Sequence, residues 1–147
     1  MTQNIREITG LSKCTDERCF LHKKGYIKEC KKFTFKSTEK LQTWDYNRNF
    51  NCNSKNVIYM LICTKCDANY IGQSQDLRDR TNNAKSQVRH YQEHKTLRYA
   101  KHFAICSNLK EPFFYCYPFY YEDDCMQRLF KEWRMIKRFK PTLNDKL

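Results

Sequence analysis

Two close pairs of cysteine and histidine residues constrain this chain more than any other feature of its sequence. Two residues separate Cys63 from Cys66, and three residues separate His102 from Cys106. A cysteine pair on a turn and a second pair from a helix end are the usual way to build a tetrahedral zinc site. We therefore predict that Cys63, Cys66, His102 and Cys106 bind one Zn²⁺. The alternative is that these thiols are ordinary buried side chains.

A second set of the same residue types lies nearer the beginning of the chain. Cys14, Cys19 and His22 follow the spacing C-x4-C-x2-H and need a fourth ligand from elsewhere. Cys52 is the preferred fourth ligand and Cys30 is the alternative. Four protein ligands leave no open position for water, so a zinc ion at either site would be structural. Whether this second zinc site exists stays open at this point.

The nine cysteines also indicate where the chain functions. An odd number leaves at least one thiol unpaired in any scheme of disulfides, and the first residues contain no apolar block typical of a secretory signal. Both features favour a reducing compartment with metal-bound thiolates over a disulfide framework. We expect an intracellular protein, nuclear if the cell is eukaryotic. Cys116 and Cys125 are predicted to be core residues rather than ligands.

The charge balance predicts the class of partner. Lysine and arginine number 28 against 16 acidic residues, which gives a formal net charge of +12. A compact domain usually keeps a charge of this size for a polyanion, so nucleic acid is the expected partner. The alternative is a basic surface that serves only solubility. A membrane is not expected, because no apolar run approaches the roughly 18 residues of a spanning helix.

The chain divides by composition into two parts, residues 1–50 and 51–147. The first part is polar and lysine-rich, begins with a loose leader over residues 1–13, and has too little apolar material to fold alone. We predict that it forms a small lobe organised by metal. In the second part an apolar run over residues 57–62 predicts a buried strand, and a turn and a second strand from Tyr70 complete a hairpin. A third strand over 113–121 and helices over 76–93, 97–103 and 124–139 are also predicted, and the last helix ends before a proline.

Two polar residues fall on or beside the apolar stripes of these helices. At about 100° per residue, the inward stripe of the last helix is predicted to be Leu129, Trp133, Ile136 and Phe139, and Glu132 falls inside the same arc. A carboxylate that faces a core is costly unless it is paired or holds a cation. We favour a metal-holding carboxylate over a buried salt bridge to an arginine. On the first long helix, Arg80 lies at the edge of the stripe and is suited to neutralising phosphate charge.

These residues resemble a known family in order and spacing. Val57-Ile58-Tyr59, Tyr70-Ile71-Gly72, Arg80, Glu132 and Asn144 resemble the motif of GIY-YIG endonucleases, over residues 56–147. Arg80 lies eight residues after the second motif, and eleven residues separate Glu132 from Asn144. The resemblance implies an α/β (α+β) fold in which a small three-stranded antiparallel sheet is flanked by helices, here with a zinc-organised N-terminal lobe.

A narrower resemblance covers the chain from Cys14 to its end. The run from Phe50 to Tyr59, the C-x2-C pair that follows it and the upstream C-x4-C-x2-H are similar to the endonuclease domain of Penelope-like retroelements. This resemblance implies DNA as substrate and a reverse transcriptase or another mobile-element protein as partner. A single active site must bind twice or dimerise to break a duplex, so a dimer on DNA is an open alternative.

The family resemblance also assigns roles in a metal-dependent hydrolysis of the phosphodiester bond. It implies that Glu132 is the one protein ligand of a Mg²⁺ or Mn²⁺ ion, which otherwise keeps water and phosphate ligands. Tyr70 is the favoured base for the attacking water, helped by nearby positive charge, and Tyr59 hydrogen-bonds within the site. Arg80 neutralises charge on the non-bridging oxygens, and Asn144 orients the site from the exit loop.

The chain departs from the family motif at three positions. Val57 replaces the first glycine, Gln73 stands where some members carry lysine, and Ala84 stands where the family usually has histidine or tyrosine. His90, lower on the same helix, is a candidate to fill the space beside Ala84. The departure at Ala84 favours an alternative function, a zinc-stabilised nucleic-acid-binding module that no longer cuts. A third hypothesis is a structural protein that uses zinc only to fold.

Overall fold

The computed structural model describes residues 9–38 and 40–144; residues 1–8, 39 and 145–147 lie outside the described part. Within it the chain forms a mixed α/β structure with small sheets and helices, as predicted. Its strands, β1 to β7 in chain order, span Gly10–Ser12, Lys32–Ser37, Lys40–Asp45, Asn49–Asn51, Lys55–Cys63, Asn69–Asp76 and Phe114–Tyr121. Its helices, α1 to α4, span Phe20–Lys23, Leu77–Arg89, Arg98–Cys106 and Cys125–Phe139, and a short 3-10 helix spans Tyr91–Glu93.

The central sheet has three antiparallel strands, with β5 between β6 and β7. Residues 57–61 of β5 are all buried, because this strand is covered on both of its faces. The predicted hairpin and the predicted third strand are therefore confirmed, and β6 extends further along the chain than its motif. None of the helices in the described part of the chain is long and apolar enough to cross a membrane.

The helices cover opposite faces of this sheet. On one face, the Thr81 hydroxyl of α2 lies 3.8 Å from the thiol of Cys116 on β7. The apolar stripe predicted for this helix is buried at Leu77, Thr81, Ala84 and Val88. The helix predicted over 76–93 is shorter in the structure, since α2 ends at Arg89 and the 3-10 helix follows. On the other face, Arg128 of α4 donates to the Gln73 side-chain oxygen of β6 over 2.8 Å.

The orientation of α4 differs from the prediction. Leu129 and Trp133 were expected to face the core, but their exposed fractions are 41% and 42%. Arg128 faces the sheet instead, and its guanidinium also donates to the side chain of Asn56 and to the carbonyl oxygen of Glu122. These bonds satisfy the buried charge and set the rotation of the helix. A projection of hydrophobicity alone could not foresee this, because it assigns every arginine to the solvent.

The N-terminal lobe is more regular than predicted and shares its core with the sheet. The expected leader contains strand β1, which pairs in parallel with β4, and the expected division at residue 50 falls inside β4. Strands β2 and β3 form an antiparallel hairpin whose Phe33 ring stacks on Tyr117, with centroids 4.4 Å apart. On β2 the buried residues alternate with exposed Lys32, Thr34 and Lys36, so the lysine-rich composition concealed a period-two strand pattern.

A half-buried carboxylate, Glu111, connects the lobe to α2. Its Oε2 atom accepts a hydrogen bond of 2.9 Å from the Tyr26 hydroxyl and lies 3.2 Å from Lys85 Nζ. Arg89 pairs with the other carboxylate oxygen. Burial would raise the pKa of Glu111, but the hydrogen bonds from Tyr26 and Lys85 and the two positive charges outweigh it, and the pKa is lowered. The carboxylate is therefore charged and joins three segments of the chain.

We predict that Glu111→Gln lowers the free energy of unfolding by about 1.5–3 kcal/mol, because Lys85 loses its charged partner while it stays buried. Urea unfolding at pH 7 in the presence of zinc measures this difference. Glu93→Gln is the matched control, since Glu93 is exposed and its substitution is expected to change little. Equal stability of the two variants would contradict the role given to Glu111.

Candidate functional site

The first predicted metal cluster is assembled in the structure. The ligating atoms of Cys63, Cys66, His102 and Cys106 all lie within 4.8 Å of one another, and Cys66 Sγ is 3.2 Å from His102 Nε2. Cys63 ends β5 and Cys66 follows on the turn, whereas the other two ligands lie one helical turn apart on α3. Burial lowers the pKa of His102, which favours the neutral imidazole that metals require. Three thiols and one imidazole in this arrangement could hold zinc.

The second cluster is assembled as well, and Cys52 completes it. Nδ1 of His22 lies 3.5 Å from Cys52 Sγ and 3.6 Å from Cys14 Sγ, and the ligating atoms of the four residues lie within 4.8 Å of one another. Cys30, the alternative ligand, is not in this cluster. Its backbone instead pairs with Leu11 in an isolated bridge. The second cluster could therefore hold zinc with ligands from the loop before α1, from α1 and from the turn between β4 and β5.

Arg78 of α2 contacts the second cluster, which the sequence did not indicate. Its guanidinium donates to Cys19 Sγ over 3.2 Å, to Cys14 Sγ over 3.7 Å and to the Asn53 side-chain oxygen over 2.8 Å. Burial would raise the pKa of Cys19, but a backbone hydrogen bond from His22 and the bond from Arg78 outweigh it, and the pKa is lowered. The guanidinium thus favours the thiolate and links the cluster to α2.

Three of the predicted catalytic residues lie together on the α2 face of β5 and β6. The Arg80 guanidinium carbon is 6.0 Å from the centre of the Tyr59 ring, and its Nη2 donates to the Tyr99 hydroxyl over 3.1 Å. The rings of Tyr70 and Tyr99 have centroids 4.6 Å apart. Arg80 also borders a surface concavity of about 450 Å³, and Lys55 and Asn83 are among the other residues that line it. An anionic group in this concavity would meet the guanidinium.

Glu132 interacts electrostatically with Arg80 and Tyr70, yet it has no direct polar partner in the described part of the chain. Burial raises the pKa of Glu132, and the positive charge of Arg80 offsets part of this effect. Its charge also acts on Tyr70. Among the described residues it makes no hydrogen bond and no salt bridge within 4.0 Å. The alternative of a buried salt bridge to an arginine is therefore not observed, and the carboxylate oxygens are free to bind a cation.

Asn144 lies on the edge of the central sheet rather than inside the group. Its Oδ1 accepts from the Ile71 N–H and its Nδ2 donates to the Ile71 carbonyl oxygen, each over 2.8 Å. The neighbouring Leu143 N–H donates to the Asn69 carbonyl oxygen. The chain after α4 thus satisfies the edge of β6 as another strand would. In this position Asn144 holds β6 and the exit segment together, which agrees with an orienting role.

The Tyr59 side chain is enclosed by its neighbours. It is fully buried, and its hydroxyl has no hydrogen-bond partner among the described residues. The ring lies directly over Gly72 on β6, where a Cβ atom would overlap the Tyr59 hydroxyl. The glycine of the second motif is therefore required by close contact with the tyrosine of the first motif. This packing fixes the two motifs against each other.

The two tyrosines are weaker acids than the expected mechanism assumes. Burial raises the pKa of Tyr59 well above its ordinary value, and it also raises the pKa of Tyr70. The charge of Arg80 opposes both shifts but is the smaller effect. The expected lowering of the Tyr70 pKa is therefore not present in the protein alone. Both hydroxyls are protonated at neutral pH.

Two residues of the group around Arg80 were not predicted from the sequence. Tyr99 of α3 and Gln87 of α2 hydrogen-bond to each other, and both contact Arg80. Ala84 is buried, and His90, expected beside it, is instead exposed at the end of α2. No pattern in the sequence singled out Gln87, and Tyr99 resembled any core aromatic residue.

A comparison of the chain with protein-family models, curated proteins and solved structures finds no match.

We predict that the purified chain, kept reduced, carries two zinc ions, which native mass spectrometry and elemental analysis measure. Cys66→Ser is expected to lose the zinc of the first cluster and Cys14→Ser that of the second, because each removes one thiolate from a four-ligand site. Cys125→Ser is the control. This cysteine, expected in the core, is exposed and belongs to neither cluster. Unchanged zinc content in either ligand variant would contradict the assignment.

Proposed function

We propose that this chain is a metal-dependent endonuclease of the GIY-YIG type, which hydrolyses phosphodiester bonds in DNA. The observation that carries the proposal is the position of Glu132. This carboxylate is half-buried, has no ion pair or hydrogen bond among the described residues, and has a pKa that burial raises, and a bound divalent cation would favour its charged form. The neighbouring arginine and tyrosines are the groups that a phosphodiester and its attacking water require. The net charge of +12 supports a polyanionic substrate.

The residues around Glu132 fit Mg²⁺ or Mn²⁺ better than zinc. One carboxylate supplies hard oxygen ligands and leaves the remaining positions to water and phosphate, which is the coordination that Mg²⁺ prefers. No cysteine or histidine of either cluster belongs to this group. When bound, the ion would stabilise the leaving oxygen and the crowded phosphate.

The protein's own contribution is to hold Arg80 and Tyr70 in place. Tyr99 and Gln87 fix the guanidinium, so Arg80 can meet the charge that develops on the non-bridging oxygens without reorganising. Tyr70 lies against the Tyr99 ring and keeps its proton at neutral pH. In the protein alone its hydroxyl is therefore suited to orient the attacking water by hydrogen bonding. Asn144 positions the strand that carries Tyr70.

The proposal extends to the type of gene product. The second Cys/His cluster, completed by Cys52, falls in the segment that carries the resemblance to the endonuclease domain of Penelope-like retroelements. We infer a mobile-element nuclease that acts on DNA with a reverse transcriptase or another mobile-element protein, in the nucleus if the cell is eukaryotic. A dimer on DNA is the form of this proposal in which both strands are cut.

A second candidate function is a zinc-stabilised nucleic-acid-binding module that does not cut. Two observations favour it. Ala84 provides no polar group where the family usually has one, and both tyrosines have raised pKa values. Binding to DNA without product in Mg²⁺ would support this second function and contradict the first.

We predict that the zinc-loaded chain nicks or linearises supercoiled plasmid when Mg²⁺ is added and leaves it intact when Mg²⁺ is omitted. Glu132→Gln is expected to slow cleavage by at least about a hundredfold, since the loss of one group that acts on developing charge has effects of this size. Glu93→Gln is the matched control and is expected to cut as the parent does. Cleavage that persists in Glu132→Gln with full zinc content would show that the metal is held elsewhere.

We also predict that Tyr59→Phe separates stability from activity. The substitution removes a buried hydroxyl that has no partner, so the free energy of unfolding is expected to stay equal or to rise by about 1 kcal/mol. Cleavage is expected to fall at least about tenfold if this hydroxyl acts in the site. Urea unfolding and the plasmid assay measure the two effects. Full activity in this variant would reduce Tyr59 to a packing residue.

A further inference from the structure

The outward face of α4 carries an apolar stripe that nothing in the described part of the chain covers. Met126, Leu129, Phe130 and Trp133 recur at helical spacing and keep exposed fractions of 73%, 41%, 52% and 42%. The rings of Phe130 and Trp133 are nearly parallel, with centroids 6.1 Å apart and an angle of 26° between their planes. Leu129 and Trp133 were predicted to face the core, so their exposure requires a separate explanation.

Positive charges are interleaved with these rings. The Lys137 ammonium lies 4.4 Å from the centre of the Trp133 ring, and the Arg134 guanidinium carbon lies 5.8 Å from that of Phe130. On the flank beyond them, a concavity of about 340 Å³ is lined by Tyr120, Lys131, Arg134, Met135 and Arg138. The opposite flank of the stripe borders Glu132, the one carboxylate within α4.

We propose that the outward face of α4 binds single-stranded nucleic acid. The unpaired bases stack on Phe130 and Trp133, and the phosphates follow the cationic flank formed by Lys131, Arg134 and Arg138. Exposed aromatic rings beside a positively charged groove are the combination by which proteins bind single strands without sequence preference. That this single strand belongs to the DNA that is cut rests on the proposed function. Because the stripe borders Glu132, the preferred DNA has an unpaired stretch beside the bond that is cut.

Charge decides between this ligand and a protein partner on the same face. A second copy of the chain would bring the cations of two α4 helices together, in a molecule whose net charge is already +12. A docked partner helix would bury an apolar stripe, but the cations of Lys137 and Arg134 lie against its Trp133 and Phe130 rings. A nucleic acid satisfies both features, because every base has an apolar face and every nucleotide carries a phosphate.

Binding is tested without added Mg²⁺, so that cleavage cannot occur. The anisotropy of a labelled 20-nucleotide oligo(dT) and of a labelled 20-bp duplex gives the two dissociation constants. For the double variant Phe130→Ala/Trp133→Ala we expect the constant for the single strand to rise at least about tenfold, as two stacking rings are lost. The constant for the duplex is expected to change less than about twofold. Leu41→Ala, at an exposed apolar residue elsewhere, is the matched control and is expected to change neither.

A second measurement guards against a folding defect in the double variant. Trp133→Phe keeps an aromatic face and is expected to retain most of the affinity for the single strand. In a Trp44→Phe background Trp133 is the one remaining tryptophan, and its fluorescence is expected to be quenched as oligo(dT) stacks on it. Quenching that saturates at the measured affinity supports the inference.

Three results for the double variant would overturn the inference. The first is an unchanged affinity for the single strand, and the second is an equal loss of affinity for the single strand and the duplex. The third is a sedimentation result in which the parent chain is a dimer and the double variant is a monomer. The last would assign the face to a second copy. These results are independent of the proposed function. If the parent chain nicks plasmid and the double variant keeps its affinity for the single strand, the nuclease proposal stands and the α4 site is ruled out. If the parent chain never nicks plasmid but the double variant loses affinity for the single strand alone, the α4 site stands and the nuclease proposal is ruled out.

Discussion

Two clusters, each of three cysteines and one histidine, bring together segments of this molecule that lie far apart in the sequence. The first joins the β5–β6 turn to α3, and α3 supplies Tyr99, which hydrogen-bonds to Arg80. The second joins the N-terminal lobe to the central hairpin and is contacted by Arg78, two residues before Arg80 on α2. Both clusters thus act on Arg80 from different sides. Zinc in these clusters would restrict the segments that carry Tyr99 and Arg78, and through them the guanidinium of Arg80, which is how a small domain with a modest core can present a rigid site.

Buried polar groups without partners occur in the candidate site and also in the N-terminal lobe, where Trp44 Nε1 and the Tyr46 hydroxyl are examples. Glu132 is half-buried without a direct partner, and the Tyr59 hydroxyl is buried without one. Charged groups elsewhere are satisfied, since the buried Arg128 and the half-buried Glu111 have several hydrogen bonds and ion pairs. An unpaired carboxylate in a group of polar residues is a departure of the kind expected at functional sites, where stability is given up for chemistry. The raised pKa values of the two tyrosines have the same origin, because the enclosure that positions them also disfavours their charged forms.

The sequence predicts the central fold well and the surroundings of the site poorly. The strand at 57–62, its hairpin and the closely spaced ligands of both metal clusters follow from local patterns, because strand periodicity and ligand spacing are short-range properties. Cys52 lies 30 residues from His22 and was one of two candidates for the fourth ligand of the second cluster. Arg78, Gln87 and Tyr99 could not be found in this way, since each acts through a contact with a distant segment. The rotation of α4 was missed for a related reason. The bonds of Arg128 to Gln73, Asn56 and Glu122 outweigh the burial of Leu129 and Trp133, and hydrophobic periodicity does not register such polar contacts.

The central claim is that Glu132 holds a divalent cation beside Arg80. Electron paramagnetic resonance of Mn²⁺, titrated into the zinc-loaded chain with a short DNA duplex, tests it without relying on cleavage. The account predicts one tightly bound Mn²⁺ per chain in the parent protein and its loss in Glu132→Gln, with zinc content unchanged in both. Equal Mn²⁺ binding in the two proteins, or none in the parent, would contradict the account.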